Sequence, residues 1–248
     1  MVINATLDVM DDPWYWNKVN LFDGTSPAVR LAFLEQAERR EYRRGSHIFR
    51  APDAGSRVFF LERGVVKIYH LTSKGEVTIF WFCVRGDLFG AGGISGSMEQ
   101  SVYAQAVEQS VVYVLSRAAF EELLKEYPQL GLNVIRLMGA RLRLACDAVT
   151  DKMTQKTDAR LARILLRLAK HWGEPSGSEV RFRVRITHQE LANMMGACRQ
   201  TVNRALHDFV DEGLVRLDGR TLIVTRPAAL AERVEGEPPT ARSKEARP

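Results

Sequence analysis

Residues 186–225 read ITHQELANMMGACRQTVNRALHDFVDEGLVRLDGRTLIVT. Thr187, with Glu190 three positions later, has the form of a capping box, so a helix starts there. Leu191 and Met194 form its expected buried face. Gly196 supplies the corner, because glycine tolerates the left-handed backbone that a tight helix-helix turn needs. A second helix begins near Cys198, where Val202, Leu206 and Val210 recur at four-residue steps with Ala205 and Phe209 beside them. Gly213 ends it. Residues 214–217 and 221–224 then pair around Asp218-Gly219, a two-residue hairpin signal. Helix, turn, helix and hairpin in this order predict a winged helix-turn-helix, with residues 187–212 at its centre.

The apolar stripe leaves Arg199, Gln200, Asn203 and Arg204 on the opposite side of the second helix, in its N-terminal half. In a helix-turn-helix that half enters the major groove. Arginine can hold guanine through two acceptors at once, and glutamine can do the same for adenine. Arg220, at the hairpin tip, is within reach of a phosphate. Two packed helices with a solvated basic face would not require the capping box, turn glycine, stripe and hairpin to occur in this order.

Charge points the same way. The 248-residue chain carries a net charge of +5. Residues 156–226 hold 13 Lys and Arg against 8 Asp and Glu, and the rest of the chain holds 22 of each sign. The whole excess therefore falls on the winged helix, as expected of a nucleic-acid-binding domain. No stretch is apolar for long enough to span a membrane, and residues 1–16 carry Asp8, Asp11 and Asp12 rather than a basic start and an apolar core. No membrane association is expected, and the cytoplasm is the expected compartment. Three cysteines do not make a disulfide framework.

N-terminal to this region the pattern changes. After an extension over residues 1–19, Ser26-Pro27 opens a short amphipathic helix through Leu31, Phe33 and Leu34. Residues 58–61, 65–69, 77–82 and 111–114 are β-rich runs, separated by turns at Gly64, Lys74-Gly75, Arg85-Gly86-Asp87 and residues 90–96. Short strands at such spacing predict a small antiparallel barrel or roll. Residues 117–126 read as a helix, and Pro128 opens a long one. On that helix Ile135, Met138, Leu142, Ala145, Val149 and Met153 recur at steps of three and four, close to a heptad seam. The seam either packs on its own domain or pairs with a second copy; the polar flanks and the helix length favour a homodimer. A break at Thr157-Asp158, with Asp158 as the N-cap, leads to a helix through Leu161, Ile164, Leu165 and Leu168 that ends near Gly173. Residues 173–179 read as a loop and residues 181–185 as an exposed strand. The composition of residues 229–248, rich in Pro, Glu, Arg and Ala, predicts a disordered tail.

The chain is thus expected to be α+β: a β-roll over residues 20–127, a dimerisation helix over 128–156 and a winged helix over 157–228. In this arrangement it resembles the CRP/FNR family of bacterial transcription regulators. The resemblance covers about residues 20–226. Its most specific part is Ile186-Thr187-x-Gln189-Glu190 followed by Gly196-x-x-Arg199-Gln200-Thr201-Val202-x-Arg204. It implies a cyclic-nucleotide-binding-like sensor domain, an antiparallel β-roll of the jelly-roll kind, and a dimer that reads palindromic double-stranded DNA and works with RNA polymerase. Arg199, Gln200 and Arg204 would read bases, with Asn203 beside them, while Thr187, Gln189, Thr201 and Arg220 would meet phosphates, with His188 among them. The type member has glutamate at the position of Gln200, so the half-site here is its own.

The resemblance also implies where an effector would sit: Gly90, Ala91, Gln100, Ser101, Arg141, Ala145 and Cys146. Here the chain departs from the family. A glutamate should follow Phe89-Gly90, and Ala91 stands there instead. An arginine should precede Ser101, and Gln100 stands there. The Thr-Ser pair of the long helix is replaced by Ala145-Cys146, and only Arg141 is kept. A buried phosphate without a positive partner is unfavourable, so canonical cyclic AMP is disfavoured.

An iron-sulfur cluster is disfavoured too, with Cys83, Cys146 and Cys198 far apart. The haem-binding member places Cys and His where Gly90 and Gly92 stand, so haem is disfavoured. His47 and His70 do not form the His-x-His pair of a metal enzyme, and no catalytic constellation is present. Cys146 and Cys198 remain open to a redox role, Cys198 because a helix N-terminus favours a thiolate; the plainer reading is a small buried residue and a turn residue. A second functional reading also stays open, in which the roll binds an effector and the winged helix docks a protein rather than DNA.

Overall fold

The computed structural model describes residues 20–90, 99–154, 156–219 and 221–235. Two compact units divide within the long helix, after Asp147.

The N-terminal unit is a roll of two four-stranded antiparallel sheets. One has the order β1 (Glu38–Tyr42), β8 (Ser110–Ser116), β3 (Arg57–Arg63), β6 (Leu88–Phe89). The other has the order β2 (His47–Phe49), β7 (Tyr103–Ala106), β4 (Val66–Leu71), β5 (Val77–Cys83). The apolar run in β3 is buried on both faces for a simple reason. Phe59 and Leu61 point between the sheets with Phe49, Ile68, Phe89 and Ala104. Val58 and Phe60 point the other way, under helices α1 (Pro27–Glu35), α2 (Arg117–Glu126) and the start of α3 (Pro128–Thr154), where they meet Phe33, Phe120, Leu123 and Leu130. A strand covered on both faces loses its polar alternation. Asn133 of α3 is fully buried, and its amide nitrogen donates to the Leu21 and Asp23 carbonyls at 2.9 and 2.7 Å, so its burial is compensated.

The helix expected over residues 128–156 runs from Pro128 to Thr154. Helix α4 (Thr157–Trp172) is capped by Lys156, not by the expected Asp158, which sits inside its first turn. Asp151, near the end of α3, accepts from Arg163 of α4 at 2.7 Å, with both side chains mostly buried.

The C-terminal unit packs α4, α5 (His188–Met195), α6 (Arg199–Asp211) and α7 (Pro227–Glu235) with a four-stranded sheet of order β11 (Val215–Asp218), β12 (Thr221–Val224), β10 (Glu179–Phe182), β9 (Gly173–Ser176). Two expectations are corrected here. Residues 173–176, read as loop, form edge strand β9, where Val180 pairs with Pro175; an edge strand tolerates proline because one row of its backbone groups needs no partner. The tail expected to be disordered from Ala229 is helical through Glu235, with Leu230 fully buried and Ala231 nearly so. Residues 236–248 lie outside the described residues.

Candidate nucleic-acid interface and sensor pocket

The capping box forms as read. The Glu190 backbone N–H donates to Thr187 Oγ1 at 3.1 Å, and the Thr187 N–H donates to the Glu190 carboxylate at 3.0 Å. Gly196 closes α5 in the left-handed conformation, at φ +60°. The buried face of α5 is Leu191, Ala192 and Met195; Met194, expected there, is only half-buried. In α6 the buried stripe is Val202, Ala205, Leu206 and Phe209, and Val210 is exposed. Four residues advance a helix by 400°, so each step of four drifts about 40° and the second has left the stripe. The wing also shifts: Asp218 pairs with Thr221, so Asp218 belongs to the strand and not to the turn. Arg220 lies outside the described residues, as does Ala91.

Packing α6 on this stripe leaves Arg199, Gln200 and Arg204 exposed. Charges nearby are treated differently. Arg181 pairs with Asp218 at 3.0 Å and Arg216 with Glu179 at 2.8 Å, across the wing sheet. Among the described residues neither Arg199 nor Arg204 has an ion-pair partner. Thr187, Thr201 and His188 are half-buried; Gln189 is exposed and donates to Asn193 Oδ1 at 2.9 Å. His188 Nδ1 lies 2.5 Å from Asn203 Oδ1, which joins the first residue of α5 to the middle of α6.

A cleft of about 530 Å³ runs between the wing and the first turn of α5, lined by Arg185, Thr187, His188, Gln189, Arg199 and Gly219 among others. Arg185, which is not among the expected site residues, is exposed there. Its signal was the alternation Arg181, Arg183, Arg185, whose last member lies beyond the end of β10.

Cys198 is the N-cap of α6 and is exposed, with its Sγ 2.9 Å from Thr201 Oγ1. The Thr201 hydroxyl, then N–H groups of the first turn, hold its thiol below the ordinary range. Cys146 is exposed rather than buried. Cys83 is fully buried, and burial pushes its thiol up to about 12.

The roll contains a pocket of about 430 Å³ lined by Phe49, Ile68, Trp81, Phe89, Gly90, Glu99, Gln100, Ser101, Val102, Met138, Arg141, Leu142 and Ala145. Five expected pocket residues meet there: Gly90, Gln100, Ser101, Arg141 and Ala145. Cys146 does not line it. A Cβ at Gly90 would come within 2.5 Å of the Phe59 ring, so only glycine fits. Gln100 is buried, and its amide donates to the Gly90 carbonyl at 3.4 Å. Arg141 donates to the Leu88 carbonyl at 2.5 Å and lies over the Trp81 ring, 5.2 Å from its centroid. Among the described lining residues Arg141 carries the one guanidinium, which is thus turned to the protein, and Glu99 adds a carboxylate. These residues do not fit a cyclic phosphate, which needs a cation of its own. Among the described residues no group of three or more His, Cys, Asp or Glu is placed to hold a metal ion, and no helix is long and apolar enough to cross a membrane.

Residues 39–127 match the model of the cyclic nucleotide-binding domain, and residues 159–233 that of the Crp-like helix-turn-helix domain. The cyclic AMP receptor protein of Thermus thermophilus is 32% identical over 86% of this chain and 95% of its own. The chain belongs to the CRP/FNR family of transcription regulators. A CRP-like cAMP-activated global transcriptional regulator of Mycobacterium tuberculosis is 26% identical over 87% of this chain and 96% of its own. The fold is shared more widely. The structure of a CooA variant from Carboxydothermus hydrogenoformans superposes with a TM-score of 0.70 at 22% identity, covering 87% of this chain and 96% of that one. This CRP/FNR protein is a transcription regulator with a helix-turn-helix DNA-binding domain.

Proposed function

We propose that this regulator binds a palindromic operator as a homodimer, in the cytoplasm, and acts through RNA polymerase. Arg199, Gln200, Asn203 and Arg204 read base edges; Thr187, His188, Gln189, Thr201, Arg185 and Arg220 meet phosphates. One observation carries this reading: Arg181 and Arg216 of the wing sheet are tied in ion pairs, whereas Arg199 and Arg204 on α6 are exposed and have no ion-pair partner among the described residues. An exposed pair of guanidiniums suits guanine and phosphate, and has no purpose in a helix that only packs.

The dimer rests on α3. Ile135, Leu142, Val149 and Met153 are 61–81% exposed in the single chain, with Met138 and Ala145 exposed beside them, all along one heptad-spaced seam. A contiguous apolar seam on a helix of 27 residues calls for a partner, and a second copy offers the same seam. Pairing there sets the two recognition helices about one DNA turn apart, roughly 34 Å.

The effector is not cyclic AMP: neutral Gln100 stands where a cation is needed, and Arg141 is committed to Leu88 and Trp81. Haem and an iron-sulfur cluster are likewise outside the reading. A signal in the roll would act through α3 on the spacing of the reading heads.

The test is fluorescence anisotropy with a selected operator and with random DNA. Arg199→Ala removes one bidentate contact worth about 1–3 kcal/mol, so operator binding falls roughly 5- to 150-fold per half-site while random-sequence binding falls only slightly. Equal losses on both DNAs would contradict base reading.

A further inference from the structure

The contact between His188 and Asn203 decides more than the rigidity of the motif. The two residues are 15 positions apart, on different helices, and the ring Nδ1 and the amide Oδ1 are 2.5 Å from each other. Two lone-pair atoms repel at that distance, so a proton lies between them, and Nδ1–H donates to Oδ1. An asparagine amide has one acceptor end and one donor end. With Oδ1 turned to the ring, the Nδ2 end is left, and among the described residues it has no partner. Asn203 lies one turn beyond Arg199 and next to Arg204, on the face of α6 that carries the exposed arginines.

We propose that His188 is a positioning residue that sets the hydrogen-bond polarity of Asn203, so that the recognition helix excludes cytosine at one position of each half-site. The proposal rests on the reading of α6 as the base-reading helix. In the major groove guanine offers N7 and O6, adenine N7 and thymine O4, all acceptors for an amide N–H; cytosine offers only its N4 donor group. A side chain held with Nδ2 outward therefore meets a partner on three bases and a like donor on the fourth. Without the imidazole, the amide can turn over and present Oδ1, and the discrimination disappears. A carboxylate in its place, an acceptor only, would hold the amide the other way, with Nδ2 inward and Oδ1 toward the groove.

The experiment is selection of bound DNA from a pool randomised across both half-sites, followed by sequencing, for the full-length protein and four variants. The wild type should deplete cytosine about tenfold at one position per half-site, within the range for a single wrong base. Asn203→Ala and His188→Ala should both flatten that position and leave the others unchanged. His188→Lys, a donor only, should keep the depletion, and His188→Glu should turn it into enrichment, whatever its overall affinity. If Asn203→Ala flattens a position that His188→Ala leaves intact, His188 has no positioning role and the proposal is overturned. If Asn203→Ala flattens no position, base reading by Asn203 itself fails, a distinguishable result. Should His188→Glu bind too weakly to select, the contrast between His188→Ala and His188→Lys decides: equal cytosine depletion in both overturns the proposal.

Discussion

Ile135 is the place to test the dimer, because it lies on the α3 seam but does not line the sensor pocket. It is 67% exposed in the single chain. Burying a whole isoleucine side chain contributes about 1.5–3 kcal/mol, so covering the exposed two-thirds contributes about 1–2 kcal/mol per chain. A two-fold interface contains the residue twice, so Ile135→Ala removes about 2–4 kcal/mol from association. At 1.4 kcal/mol per tenfold, the dimer Kd rises roughly 30- to 700-fold. Alanine is the best helix former, so α3 itself is not weakened. Sedimentation velocity across a concentration series reads the monomer-dimer equilibrium, and binding to a full palindrome against a single half-site reads its consequence. The variant should dissociate at concentrations where the wild type is dimeric and lose its preference for the full palindrome. A Kd within threefold of wild type, with the preference intact, would refute pairing along this seam.

The other predictions concern the C-terminal helix and the cysteines. Leu230→Ala empties a fully buried site and should destabilise the C-terminal unit by about 2–5 kcal/mol; an unchanged melting profile and protease resistance would mean that α7 is not part of the core. At neutral pH the lowered thiol of Cys198 carries more thiolate than an ordinary cysteine, so iodoacetamide should modify it faster than a free cysteine at the same pH. Buried Cys83, protonated up to about pH 12, should react only on unfolding. If oxidation of Cys198 switches the protein, peroxide should abolish operator binding in the wild type and spare Cys198→Ser; equal loss in both removes the idea.

Much of the reading motif was legible because its determinants are local. The capping box spans four residues, the Gly196 corner one, and the helix limits follow from the two. What depends on partners far along the chain was not legible. Between Met194 and Met195 the composition is neutral, and only packing in the C-terminal unit buries the second. Val210 looked like stripe because four-residue steps approximate a helical turn, but the drift carried it out. The Pro- and Glu-rich region after Ala229 looked unable to form a core, and by itself it is; Leu230 is buried because α7 packs against α4, some sixty residues earlier.

The sensor shows the same division. That Gln100 stands where the family resemblance implies an arginine is legible in the chain, but the state of Arg141 is not. Its guanidinium is drawn onto the Leu88 carbonyl and the Trp81 ring by residues 53 and 60 positions away. Caps, turns and apolar periods are written within a few residues, because backbone hydrogen bonding and side-chain spacing act over one or two turns of chain. Which charged groups are neutralised and which stay free is a matter of distance in space. Arg181 and Arg216 are tied by carboxylates 37 positions off, Asn203 is turned by a histidine on another helix, and Arg199 and Arg204 are left to face outward.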